Sequence, residues 1–171
     1  MLEIREVSGA ALETVFYWDE ANPVSRFLSL TRDEYLTKVN APNWTHYGIY
    51  RKGEWVACAS MEAWKVDVME VHVSCARRAI PPTELRTALR ALLRGASQSG
   101  VRELFALVPN IHRAGQRLCR DCGLVLAEQI PTEFTINGQP LIYLKYRYGQ
   151  IEDSPNPLPA AEYLRMANAT G

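Results

Sequence analysis

Two consecutive prolines, Pro81 and Pro82, separate a strand-like run from a helix-like run. From Val68 to Cys75 apolar and polar residues alternate, placing Met69, Val71 and Val73 on one face and Glu70 and His72 on the other. Beyond the prolines, Leu85, Leu89, Leu92, Leu93 and Ala96 recur at helical spacing as far as Ser99, and Gly100 stands just past the end. A proline ring presets φ for a first helical turn but carries no N–H. No glycine occurs between Val71 and Leu93. The pair therefore forces a strand-to-helix turn here, and it removes amides that such a junction ordinarily presents to an anion.

The flanking segments extend this pattern. Leu2 to Val7 reads as a strand, and Ser8 can cap a helix from about Ala10 to Glu20 that Asn22-Pro23 ends. Phe27 to Leu30 is apolar but short; Thr31, with Asp33 and Glu34 behind it, opens a second helix to about Val39. His46 to Tyr50 and Trp55 to Val66 flank Arg51-Lys52-Gly53-Glu54 and read as a hairpin. Leu104 to Val108 is a continuous apolar strand of the kind buried on both faces. Ile111 to Cys122 reads as a helix ended by Gly123, and Leu124 to Phe134 and Leu141 to Tyr148 flank the tight-turn signal Asn137-Gly138.

The expected order is β-α-α-β-β-β-α-β-α-β-β: an α/β (α+β) domain with a mixed sheet of about six to seven strands and about four helices, over residues 1–148. Residues 149–171 are proline-rich and polar, with a possible short helix from Pro159 to Asn168. Lys+Arg and Asp+Glu each total 19, so no net charge favours nucleic acid as a partner. No apolar run reaches the roughly 18 residues of a membrane span. The start, MLEIREVSGA, lacks the basic-then-apolar pattern of an export signal, so a cytoplasmic protein with reduced cysteines is the expectation.

Several residue sets bear on chemistry. Glu70 and His72 share a strand face, and Glu62 lies on the preceding strand. Cys119 and Cys122 form a C-x-x-C that closes a helix instead of opening one, and no second pair at similar spacing accompanies it. No metal site is expected; Cys122 suits the core and Cys119 a position near the helix surface. Arg86, Arg90 and Arg94 recur on one helix face, and Arg113, Arg117 and Arg120 on the next. These are either solvated faces or a surface for an acidic protein partner.

The order, and above all the stretch from Glu70 to Leu124, resembles the GNAT acyltransferase superfamily. "SGVRELFALVPN" and "RAGQRLCRDCGL" are similar to that family's fifth strand and fourth helix, whose usual ending is Gly-Phe; here Leu124 follows Gly123. The resemblance implies acetyl-CoA as cofactor, its pyrophosphate held by an Arg-x-x-Gly-x-Gly/Ala loop. The matching window runs from Arg77, Arg78, Ala79 and Ile80 through Pro81 and Pro82 to Thr83 and Glu84: two arginines remain, the glycines are gone, and a carboxylate is added. It further implies a general base, for which Glu70 with His72 is the best placed and Glu62 the next. A tyrosine acid is often found where this chain has Cys119, and a cofactor-contacting asparagine where it has His112, with Asn110 two residues early.

Two functions are open at this point. One is a non-catalytic binding or assembly component with a degenerate acyl-CoA site and no cofactor. Such a protein is similar to GNAT-like bacteriophage proteins, including a head-assembly protein of short-tailed phages, and would work within a virion with its tail as an arm on a neighbour. The other is an acetyl-CoA-dependent N-acetyltransferase.

Overall fold

The computed structural model describes residues 1–21, 30–76 and 78–148. The tail 149–171, the segment 22–29 and Arg77 lie outside the described residues, and with them the Pro159–Asn168 helix and the Asn22-Pro23 stop. Seven strands form one sheet: β1 Leu2–Val7, β2 Trp44–Arg51, β3 Glu54–Lys65, β4 Val68–Cys75, β5 Glu103–Pro109, β6 Leu124–Ile136 and β7 Gln139–Tyr148. Four α-helices join them: α1 Glu13–Glu20, α2 Arg32–Val39, α3 Pro82–Gln98 and α4 Arg113–Asp121. The chain order matches the sequence expectation. In space the strands run β1-β2-β3-β4-β5-β7-β6. Every neighbour pair is antiparallel except β4 and β5, which α3 joins as a parallel pair.

Local chemistry explains most boundaries. Both hairpin turns place two successive residues at positive φ, Lys52 (52°) with Gly53 (82°) and Asn137 (52°) with Gly138 (74°). That backbone matches the twist of the flanking strands. Thr31 caps α2 in a full capping box with Glu34. The first helix departs from expectation. Gly9–Leu12 is a 3-10 turn, and α1 begins only at Glu13. Ser8 holds the cap position but makes no side-chain bond; the Gly9 amide instead donates to Asn40 Oδ1 at 3.0 Å. Helix α4 is also shorter than expected, with His112 at its cap position.

The sheet separates two apolar layers. Leu85, Leu89 and Leu93 of α3 and Cys119 of α4 pack with Ala57, Leu104 and Ala106 on one face. Leu12, Val15 and Val39, from the opposite helical layer, pack with Cys58. Cys119 thus lies in the core, not near the helix surface, because the short α4 turns its last residues toward β6. The arginine faces are likewise only partly free. Arg86 reaches Asp121 Oδ2 at 3.4 Å and Arg90 donates to the Asp121 carbonyl at 2.5 Å, tying α3 to the end of α4.

One ion pair is fully enclosed. Lys145 Nζ lies 2.6 Å from Glu103 Oε1, with both side chains almost wholly buried and the ammonium 4.7 Å from the centre of the Phe105 ring. It fastens β7 to the start of β5. Arg147 Nη2 also lies 3.5 Å from Glu103 Oε1, and removing one member of such a buried pair leaves the other charge less well compensated in a low-dielectric interior. Glu103→Ala is therefore expected to lower unfolding free energy by about 3–5 kcal/mol, measured by urea denaturation. A paired Glu103→Met/Lys145→Leu replacement should recover most of that loss.

Candidate functional site

Strands β4 and β5 pair only at Val68–Glu103, Met69–Leu104 and Glu70–Phe105. Beyond Glu70 they part, leaving a notch between Val71–Cys75 and the end of β5. A groove of about 2040 Å³ runs through this notch, bordered by α1, α2, α3, α4 and β7.

The closed end of the notch carries the polar residues. Register places Glu62 of β3 directly opposite Glu70 of β4, and Ser60 opposite His72. Across β2, Trp44 faces Glu62 and His46 faces Ser60. Alternation then puts all six side chains on the face covered by α1 and α2. Glu62 and Glu70 are buried, at 8% and 5% exposure. Like charges directly opposite on neighbouring strands destabilise a sheet unless something compensates. His72 does so: its Nε2 lies 3.3 Å from Glu62 Oε2 and 3.7 Å from Glu70 Oε1. Trp64 Nε1 donates to Glu70 Oε2 at 3.0 Å, and the Trp44 ring stacks on His72 at 4.9 Å.

Charge states follow from these contacts. Burial raises the Glu70 pKa, and Glu62 adds to the rise against the pull of His72. Burial opposes the charge on His72, but the Glu70 and Glu62 carboxylates outweigh it and hold its pKa above the ordinary value. His46 is the opposite case, lowered by burial. Its Nε2 meets the Val39 carbonyl at 2.6 Å, which can only accept, so the neutral ring carries its proton there. Nδ1 then accepts from the Ser60 hydroxyl at 2.7 Å. Asp19, on α1, is pushed up to about 6 by burial. The cluster can thus share one proton or take one from a ligand. The ligand atoms of Glu62, Glu70 and His72 lie within 4.8 Å of one another, close enough to meet on one small cation.

The other end of the groove differs. Pro81 is the cap residue of α3 (φ −60°, ψ 140°) and Pro82 its first helical residue. The Glu84 and Leu85 amides both donate to the Pro81 carbonyl, at 3.0 and 3.1 Å. The Ala79 amide donates to Ala76 O at 3.2 Å. Among the described positions of the loop and first turn, the Arg78, Ile80 and Thr83 amides stand outside these bonds, and they are not consecutive. The Glu84 carboxylate is held by Arg51 Nε at 2.9 Å. Arg78 is exposed at φ 58°, a left-handed conformation that a glycine adopts without strain.

The remaining candidates are spread along the groove. Asn110 donates to Pro140 O at 3.0 Å and accepts from the Ile142 amide at 3.2 Å, joining the end of β5 to β7. His112 packs against Gly115, where a Cβ would come within 2.8 Å of Nδ1, and burial lowers its pKa. Burial pushes the Cys119 thiol up to about 12. Ala79 packs on the core and Thr83 is exposed. Trp44, Asp19 and Tyr143 also face the groove and were not singled out from the sequence as site residues. The Trp44–Glu62–Glu70 row becomes readable once the two hairpin registers are fixed.

No protein-family model matches the sequence, and no curated protein matches it. Solved structures do match. The Escherichia coli ribosomal-protein-S18-alanine N-acetyltransferase superposes with a TM-score of 0.73 over 92% of this chain and 99% of that one, at 12% identity. The Brucella melitensis ribosomal-protein-alanine N-acetyltransferase gives 0.66 over 85% and 98%, at 22% identity. The Salmonella typhimurium protein yncA, solved with its cofactor acetyl-CoA, gives 0.69 over 92% and 98%, at 16% identity. The chain has the GNAT N-acetyltransferase fold; at these identities the likeness establishes the fold alone.

Linkage gives the site a pH signature. The raised pKa of His72 means that its contribution to stability is complete below the unfolded value near 6.5 and declines as pH rises through the folded value. In an NMR titration the His72 ring should change charge above pH 6.5, and Glu70→Gln should move that midpoint down.

Proposed function

We propose that this GNAT-fold domain is a binding or assembly component whose acyl-CoA anchor has decayed. The α3 N-terminus is the observation that carries this reading. A pyrophosphate needs several amides converging at a helix start. Here Pro81 and Pro82 have no N–H, and the Glu84 and Leu85 amides close on Pro81 O, which leaves Thr83 as the one amide of the first turn outside these bonds. The residues present do not fit the group. A hydrogen bond to a charged group contributes roughly 1.5–3 kcal/mol, so two missing donors weaken binding by about 3–6 kcal/mol, or roughly 10²–10⁴ in affinity. The partner in this reading is a protein, engaged through the groove, the free arginines of α3 and α4, or residues 149–171. A virion is the setting that the resemblance to bacteriophage proteins implies.

A second reading has an observation of its own. Glu70 lies where β4 and β5 part, buried, with a raised pKa and with His72 beside it. That is a reasonable place for a base that takes a proton from an acceptor amine. In an active N-acetyltransferase the arginine side chains at 77 and 78 would have to replace the missing amides.

Calorimetric titration with acetyl-CoA separates the two. The binding-component reading expects no saturable heat at about millimolar coenzyme, whereas micromolar binding overturns it. A Pro81→Gly/Pro82→Gly variant restores the donors and should bind acetyl-CoA more tightly than the parent protein.

A further inference from the structure

The notch exposes two strand edges. From Val71 to Cys75, β4 pairs with β3 on one side and, among the described residues, with no strand on the other. From Ala106 to Pro109, β5 pairs with β7 on one side and likewise with no strand on the side facing β4. Each edge presents backbone donors and acceptors in extended geometry, the arrangement that accepts an added strand.

Charge is graded along the same notch. Glu62 and Glu70 lie at its closed end, both buried, with His72 between them and Lys38 near enough to act on Glu70 and His72. Arg78, Arg113 and Arg117 line the open end and are exposed. Asp121, also at the open end, is already engaged by Arg86 and Arg90. A ligand running the length of the notch therefore meets a charge-compensated carboxylate–histidine cluster first and exposed guanidinium groups last.

Resting on the reading that the acyl-CoA anchor has decayed, we infer that the notch between β4 and β5 is a docking slot for an extended segment of a partner protein, added as a strand along β4. Its inner end, a free N-terminus, reaches the cluster of Glu62, Glu70 and His72. Its outer end carries carboxylates beside Arg78, Arg113 and Arg117. Its middle presents amides and carbonyls to Val71–Cys75. Charge complementarity at the open end selects this occupant over an uncharged peptide.

Fluorescence anisotropy on the full-length protein tests the slot. The probe is the synthetic peptide Ala-Val-Thr-Val-Ser-Asp-Glu-Asp, with a free N-terminus and a C-terminal fluorophore. Saturable binding at about 10–100 μM is expected. N-methylation of the Val-Thr-Val backbone, which removes donors without changing charge, should weaken it about tenfold or more. Arg113→Glu/Arg117→Glu, both at exposed positions, should do the same. No saturable binding at millimolar probe overturns the inference, and so does equal binding of the N-methylated probe. Hydrogen-exchange protection of the Val71–Cys75 edge amides without probe also overturns it, since the chain itself or a second copy then fills the slot. Acetyl-CoA as competitor keeps the two readings apart. A bound probe displaced by micromolar acetyl-CoA supports the slot and overturns the decayed anchor. Failure of both ligands overturns the slot alone.

Discussion

The parting of β4 and β5 after Glu70 and Phe105 is the constraint on which the rest depends. A parallel pair paired along its full length would bury both inner edges and close the sheet. Here α3 carries the chain across, so the two strands start together, yet each is then held by a different neighbour. β3 holds β4 as far as Cys75, and β7 holds β5 as far as Pro109. The Glu103–Lys145 pair and the Phe105 ring fix the base of the opening. The cluster of Glu62, Glu70 and His72 is arranged beside that base.

The α3 junction shows one segment meeting one demand at the expense of another. Pro81 and Pro82 start a helix well, since their φ is preset and a first-turn N–H has no intrahelical partner to lose. The same property empties the position where an anion would look for donors. Glu84 completes the change: it places a carboxylate in the first turn of α3, where the helix dipole favours it, and Arg51 then neutralises it. What remains is a well-formed helix start whose first-turn carboxylate is neutralised by Arg51.

Much of this was legible in the sequence, for identifiable reasons. β4, the α3 stripe and both type I′ turns carry strong local signals, and their boundaries lie within a residue or so of the structure. The Glu70–His72 face followed from alternation alone. The meeting of Glu62 with Glu70, and the stacking of Trp44 on His72, did not, because they depend on the register of two hairpins, which residue spacing leaves open. The 3-10 turn before α1 was hidden for a similar reason: the cap bond comes from Asn40, which is distant in sequence. Cys119 was misplaced because α4 is a nine-residue helix with only Ala114, Leu118 and Cys119 to mark its apolar side, and its docking against β5 and β6 decides how deeply each is buried.

The enclosed Lys145–Glu103 pair also bears on how such a chain can diverge. Arg147 also reaches Glu103 at 3.5 Å, so a change at either residue of the pair leaves a buried charge that its remaining neighbours must compensate. The pair joins the centre of the sheet to its last hairpin, so this coupling ties the two halves of the sheet together through buried charge. The rim of the groove, the α3 start included, takes no part in that pairing and can change while the frame that carries it stays in place.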